Sequence, residues 1–171
     1  MNIKNYTFVL IPEKITKEKI ENLRLEYTGN KLVDGLPPHI SIKRRFTLDK
    51  DLSENDLKHI LDKFNTSKVT VHFNNMQKFS EVFALVGENS KLLDYHKKLL
   101  GELEGKVKTK NPTFEGEGFK IHLTLFRGVS PNIAPNILEK EITFDKICLY
   151  ELDPSTARSF ANKIACKSLK D

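Results

Sequence analysis

At 171 residues the chain can bury a full core as one domain, or as two small lobes sharing a sheet system. Its 39% hydrophobic and 30% charged residues describe an ordinary globular protein and leave no apolar run near the length of a membrane span. The net charge of +5 modestly favours an anionic partner and excludes no function class by itself.

Tyr6–Ile11 is too short an apolar stretch for a signal-peptide core and reads as a first strand closed by Pro12. Ile20, Leu23 and Tyr27 recur at helical spacing from Thr16 to about Tyr27, and Gly29-Asn30 ends that helix. Asp34-Gly35-Leu36-Pro37-Pro38 is a rigid turn delivering the chain into a strand over His39–Phe46, where the prolines exclude helix. Ser53 with Glu54 and Asp56 opens a second helix in a capping-box pattern, carrying Leu57, Ile60, Leu61 and Phe64. Val69–Asn74 alternates as a half-buried strand, and Val82–Val86 is another.

Ser90 reads as the cap of a third helix running to about Glu104, with Gly105 as its stop. Residues 105–118 (GKVKTKNPTFEGEG) read as the longest structureless stretch, a lid, a binding loop or a plain connection. A strand over Phe119–Gly128 follows, then a short helix over Ile137–Glu141 and closing strands over Ile142–Leu149 and Phe160–Lys167. Strand–helix–strand runs with hairpins imply an α+β protein of two related halves, antiparallel sheets inside and helices outside.

Two cysteines, Cys148 and Cys166, show no CxxC spacing and no disulfide framework. They read as structural thiols in a reducing, cytosolic setting, with one disulfide between them left open. No HxH, HExxH or His/Cys cluster points to a metal, and no phosphate-binding glycine motif is present.

The chemistry sits in a repeated quartet, His39-Ile40-Ser41-Ile42 and His122-Leu123-Thr124-Leu125. By ordinary composition a given histidine opens such a quartet roughly one time in a hundred. On a strand, alternation puts each imidazole beside its hydroxyl on one face and anchors the apolar pair on the other. Imidazole titrates nearest neutrality, so one ring can take a proton from water while the other, charged, donates to a leaving oxygen. Ser41 and Thr124 would hold the non-bridging oxygens of a phosphate between them.

The same alternation places Lys43 and Arg45 with His39 and Ser41, and Phe126 with His122 and Thr124, as candidate substrate contacts. Arg44 and Arg127 each lie five positions after their histidine, on the opposite parity of a regular strand. Either a bulge turns them inward or they serve the outer surface. Phe126 and Tyr150 are candidates for stacking a base. His96 reads as a core-edge histidine with a hydrogen-bond partner, His59 as solvated, and His72 as a residue that could border the cleft.

The repeated H-Φ-[ST]-Φ resembles the signature of the two-histidine (2H) phosphoesterase superfamily, which includes RNA 2′,3′-cyclic phosphodiesterases and 2′–5′ RNA ligase-like proteins. The resemblance extends to the opening strand YTFVLIP, the Pro38-His39 junction, the motif spacing and the arginine ending each motif (HISIKR, HLTLFR). Lys120-Ile121 stands where many members carry a proline before the second histidine. The resemblance implies a single bilobal domain over 1–171, with a pseudo-twofold cleft and no metal or other cofactor. It further implies His122 as base, His39 as acid, and Ser41 and Thr124 on the phosphate.

The expected activity is hydrolysis of a 2′,3′-cyclic phosphate at an RNA end or on a nucleotide by a cytoplasmic monomer with no membrane attachment. A non-catalytic nucleotide or RNA-end binding module, or a 2′–5′ phosphodiester hydrolase or ligase, are the alternatives.

Overall fold

The computed structural model describes residues 3–132, 138 and 140–171. In chain order the elements are β1 (Asn5–Pro12), α1 (Lys14–Thr28), β2 (Ile40–Leu48), α2 (Glu54–Lys63), β3 (Val69–Phe79) and β4 (Val82–Glu88). They continue with α3 (Ser90–Leu103), β5 (Val107–Thr109), β6 (Ile121–Arg127), β7 (Glu141–Leu152) and β8 (Ala161–Ser168). Among the described residues no helix is long and apolar enough to cross a membrane.

Local signals act where they stand. Gly29 ends α1 in the left-handed conformation and returns its N–H to the Leu25 carbonyl. Ser53 and Asp56 form the reciprocal capping box that starts α2. At α3 the cap is Asn89, not Ser90: its side chain accepts the Leu92 N–H, and Ser90 is already helical.

The named strands pair antiparallel in one continuous eight-stranded sheet of order β5-β2-β1-β7-β3-β4-β6, with β8 also on β7. This is the expected α+β architecture, with the strands of both halves joined. β7 is the seam, because its first residues pair with β3 while its remainder holds β8, and β1 runs along its other edge. The sheet curls until β2 and β6, near opposite ends of the order, touch. That curl brings the two quartets together across 83 positions of sequence.

Apolar residues of all three helices (Ile20, Leu23, Leu57, Leu61, Leu92, Leu99) join one core with Phe8, Ile40, Ile42, Leu123, Leu125 and Phe144 of the sheet. A smaller cluster of Val9, Ile11, Leu36, Cys148, Tyr150 and Leu152 packs on the other side of β1 and β7.

The 105–118 stretch is ordered rather than structureless. β5 pairs with the edge of β2, two 3₁₀ turns follow at Pro112–Phe114 and Gly116–Gly118, and Gly116 N–H donates to His96 Nε2. His96 is the core-edge histidine expected, its Nδ1 donating to the Ile42 carbonyl and its ring stacked on Phe119. Of the helix expected over Ile137–Glu141, residues 137 and 139 lie outside the described residues, Leu138 and Lys140 are bends, and Glu141 opens β7.

Cys148 and Cys166 are not free thiols. They are register partners on β7 and β8 and are joined by a disulfide. Sequence spacing alone gives no cue to a cross-strand pair 18 positions apart, and the reducing setting inferred from free thiols loses its premise. Closing a loop of this length stabilises by about 3 kcal/mol in the chain-entropy account. We expect Cys148→Ser with Cys166→Ser to lower the urea midpoint accordingly, with reducing agent doing the same to the parent. A midpoint indifferent to both would remove the disulfide from the native protein.

Candidate active site

Each quartet is placed by the same device, a bulge just after it. In β2, Phe8 faces Lys43 while Val9 faces Ser41, so Ile42 is the extra residue. In β6, Phe83 faces Phe126 while Ala84 faces Thr124, so Leu125 is the extra residue. A bulge puts two successive side chains on one side and reverses the parity beyond it. Ile42 and Lys43 are therefore both buried, as are Leu125 and Phe126, and Arg44 and Arg127 turn to the cleft. A second shift in β2, between Lys43 and Phe46, leaves Arg44 and Arg45 together opposite Thr7, both lining the cleft.

Three of the residues that strand alternation and aromatic character single out accordingly move. Lys43 is 1% exposed, paired with Glu115 and Thr109 and set over the Phe46 ring on the far side of β2. Phe126 is fully buried between Tyr27 and Phe83, since the bulge turns it into the core. Tyr150 shares a face with Thr7 but is buried in the smaller cluster with Leu36, and burial raises its pKa. His72 lies away from the cleft, exposed and 3.9 Å from Glu141.

The cleft gathers His39, His122, Ser41, Thr124, Arg44, Arg45, Arg127 and, from the loop before β8, Arg158. Both imidazoles are oriented alike. His39 Nδ1 lies 2.8 Å from the Pro37 carbonyl, and His122 Nδ1 lies 3.1 Å from the Lys120 carbonyl. A carbonyl only accepts, so Nδ1 carries the proton in each ring and Nε2 is left with its lone pair. A ring in that tautomer is a base when neutral and an acid through Nε2 when charged.

Burial pushes His39 down to about 4, with the Pro37 bond opposing and the nearby Arg24 and His122 charges adding to the drop. Burial also lowers His122, opposed by the Lys120 bond and reinforced by Arg44. Both rings are therefore mainly neutral in the free protein at pH 7.

An adjoining cavity of about 460 Å³ shares Ser41, Arg44, His122, Thr124 and Arg127 and adds an apolar wall of Phe79, Val82, Phe114 and Phe119. Phe79 stands 6.1 Å from the His122 ring, and half-exposed Phe114 carries the Arg44 guanidinium on its face at 4.5 Å. These aromatic residues take the place of Phe126 and Tyr150. A still larger cavity nearby, over Asn75 and Gln77, contains neither histidine of the quartets, neither Ser41 nor Thr124, and none of the cleft's arginines. Among the described residues, no group of three or more His, Cys, Asp or Glu is placed to hold a metal.

Sequence reading missed Arg24. It is fully buried on α1 and bonds four carbonyls: Leu125 through Nε at 3.1 Å, Thr124 at 2.7 Å, Lys31 at 3.1 Å and Leu36 at 3.2 Å. One side chain thus ties the bulge of the second quartet to the turn that leads into the first. Its signal was an arginine on the apolar stripe of Ile20, Leu23 and Tyr27.

Asp34 was also missed. It holds Arg127 at 2.9 Å and Arg158 at 3.5 Å from a left-handed backbone position. Gly35 beside it is obligatory, because a Cβ there would lie 2.4 Å from the Ala161 nitrogen.

A curled antiparallel sheet presenting two such histidine strands to one cleft defines the class of two-histidine phosphoesterases. The family model described as the 2′-5′ RNA ligase superfamily matches residues 11–155, and the chain belongs to that superfamily. Comparison with curated protein sequences finds no match.

Among solved structures the chain resembles E. coli LigT complexed with 3′-AMP at 15% identity and a TM-score of 0.64, covering all of both chains. It is also similar to a protein described as a phosphoesterase, at 16% identity and 0.64, over 99% of this chain and all of the other. TT0787 of Thermus thermophilus matches at 15% and 0.60, over 97% and 98% of the two chains. At these identities the likeness establishes the fold.

Proposed function

We propose that the protein is a phosphodiesterase that opens a 2′,3′-cyclic phosphate on a nucleotide or RNA end, with His39 and His122 as its acid–base pair. The observation that carries this is the matched pair of rings, each with Nδ1 tied to a carbonyl and Nε2 free, sharing one cleft with Ser41 and Thr124. E. coli LigT has been crystallised with 3′-AMP, ATP and NADP+, which supports a nucleotide in the corresponding cleft here.

Water attacks phosphorus as one ring takes its proton. The bond from phosphorus to one ribose oxygen breaks, and the other ring protonates that oxygen. Ser41 and Thr124 donate to the non-bridging oxygens, Arg44 and Arg127 offset their charge, and Phe79 and Phe114 flank the base. His39, held down further, is neutral over the wider pH range and is assigned the base, though its low pKa makes it an intrinsically weak one. His122 is assigned the acid, the reverse of the roles implied by resemblance.

Incubation with each 2′,3′-cyclic nucleotide, with and without chelator, tests the reading. Conversion to a single nucleoside 2′- or 3′-phosphate at equal rates is expected. Stoichiometric binding without turnover would instead establish a binding module, and cleavage confined to 2′–5′ oligonucleotides would establish the linkage-specific alternative. A cytoplasmic site of action suits a substrate at RNA ends, and the Cys148–Cys166 bond is the feature that argues against it.

A further inference from the structure

The cleft has two unlike ends. The phosphate-facing groups Ser41, Thr124, His122, Arg44 and Arg127 are common to both cavities. Phe79, Phe114 and Phe119 line only one of these, whereas Arg45, Asn111 and Arg158 line only the other. An aromatic wall on one side suits a base. Two further guanidiniums and an amide share the other side with His39, away from that aromatic wall and beyond the groups already assigned to the scissile phosphate.

Charge at that end is only partly neutralised within the protein. Four arginines line the cavity against one carboxylate, Asp34. Asp34 is already engaged by Arg127 at 2.9 Å and reaches Arg158 only at 3.5 Å. Arg45 has no carboxylate within ion-pair distance among the described residues; burial and the Arg158 charge depress its pKa, opposed by the more distant Asp34 and Asp153 carboxylates. Like charges held together in a half-buried wall cost free energy unless an anion lies between them.

Arg158 is also held in place rather than trailing from a loose loop. The buried Asp153 carboxylate accepts Ser155 N–H at 2.8 Å, Ser159 N–H at 2.7 Å and Ser159 Oγ–H at 2.6 Å, and Arg158 lies between them at a φ of +49°. A non-glycine residue in that region is uncommon and persists where its surroundings fix it.

We infer that Arg45 and Arg158, with Asn111, form a second phosphate subsite beside the scissile one. The preferred substrate is then a nucleotide carrying another phosphate on its ribose, as at a 5′-phosphorylated nucleotide or the preceding linkage of an RNA strand. The inference rests on the proposed phosphodiesterase reading for its reaction, though not for its binding.

The test compares adenosine 2′,3′-cyclic phosphate with the same nucleotide bearing a 5′-phosphate, in the parent, Arg158→Gln and Arg45→Gln. The parent should favour the 5′-phosphorylated substrate in kcat/KM by about tenfold or more, the scale of a charge-assisted contact. Each variant should bring that ratio towards one. A parental ratio near one, or a ratio unchanged in both variants, overturns the subsite. Calorimetric Kd values for the two nucleotides give the same ratio without turnover. Failure of hydrolysis alone therefore counts against the phosphodiesterase reading, and a flat Kd ratio counts against the subsite.

Discussion

His39→Ala and His122→Ala should each lower kcat on a 2′,3′-cyclic nucleotide by about 10²–10⁴-fold, the usual weight of one general acid or base. The far-UV spectrum should stay at its parental form, because neither ring is part of the main core cluster and each has its Nδ1 on a local carbonyl two residues back. The double variant should fall little below the worse single one, because groups acting as one unit are not additive.

The pH profile separates the two roles. In the proposed mechanism the productive free form has His39 neutral and His122 charged. It exists above the His39 pKa of about 4 and below the His122 pKa, which burial holds under its ordinary value. The kcat/KM bell should thus lie on the acid side of neutrality, with His39→Ala abolishing its low-pH limb and His122→Ala its high-pH limb. A bound phosphate anion favours both charged rings, so the limbs of kcat should sit at higher pH than those of kcat/KM. Limbs exchanged between the two variants restore His122 as base, and parental rates in both variants sink the catalytic assignment.

Much of this site is legible in the sequence because alternation is a local rule. His39 with Ser41, and His122 with Thr124, line the cleft as a regular strand dictates. The rule fails one residue beyond each quartet, where a bulge inserts Ile42 or Leu125 and sends Lys43 and Phe126 into the core. Arginine at the same offset in both copies was the available sign, since a pair repeated on the wrong parity is more simply explained by a repeated bulge than by two outward arginines.

Arg158 meets the cleft only through the β7–β8 connection and carries no local pattern. Asp34 was legible as a turn residue ahead of His39 but not as the partner of Arg127 and Arg158. The helices were legible from caps and periodicity. β5 was not, because three residues paired to an edge show no alternation of their own.

Arg24→Met should be the most destabilising single change in the cleft's scaffold. Methionine keeps much of the packing volume and removes all the guanidinium donors, leaving the carbonyls of Thr124, Leu125, Lys31 and Leu36 without them. A buried acceptor stripped of its partner costs about 1–3 kcal/mol, and more than one carbonyl loses a donor here, although Leu36 keeps the Val33 N–H. A loss of about 3 kcal/mol lowers Tm by roughly 6–12 °C for a chain of this size.

Activity should fall by more than the unfolded fraction accounts for. The bonds being lost connect the bulge behind Thr124 to the turn ahead of His39, and small displacements of either ring misalign the in-line path. Removing the positive charge also relieves one of the effects that depress His39, so the low-pH limb of kcat/KM should move to higher pH.

Arg24→Lys discriminates between charge and geometry. An ammonium keeps the charge but has three donors and no planar fork, so the limb should stay near its parental position while Tm recovers only in part. If Arg24→Met melts with the parent and leaves the limb unmoved, the four carbonyls find other donors and Arg24 does not hold the two quartets in register.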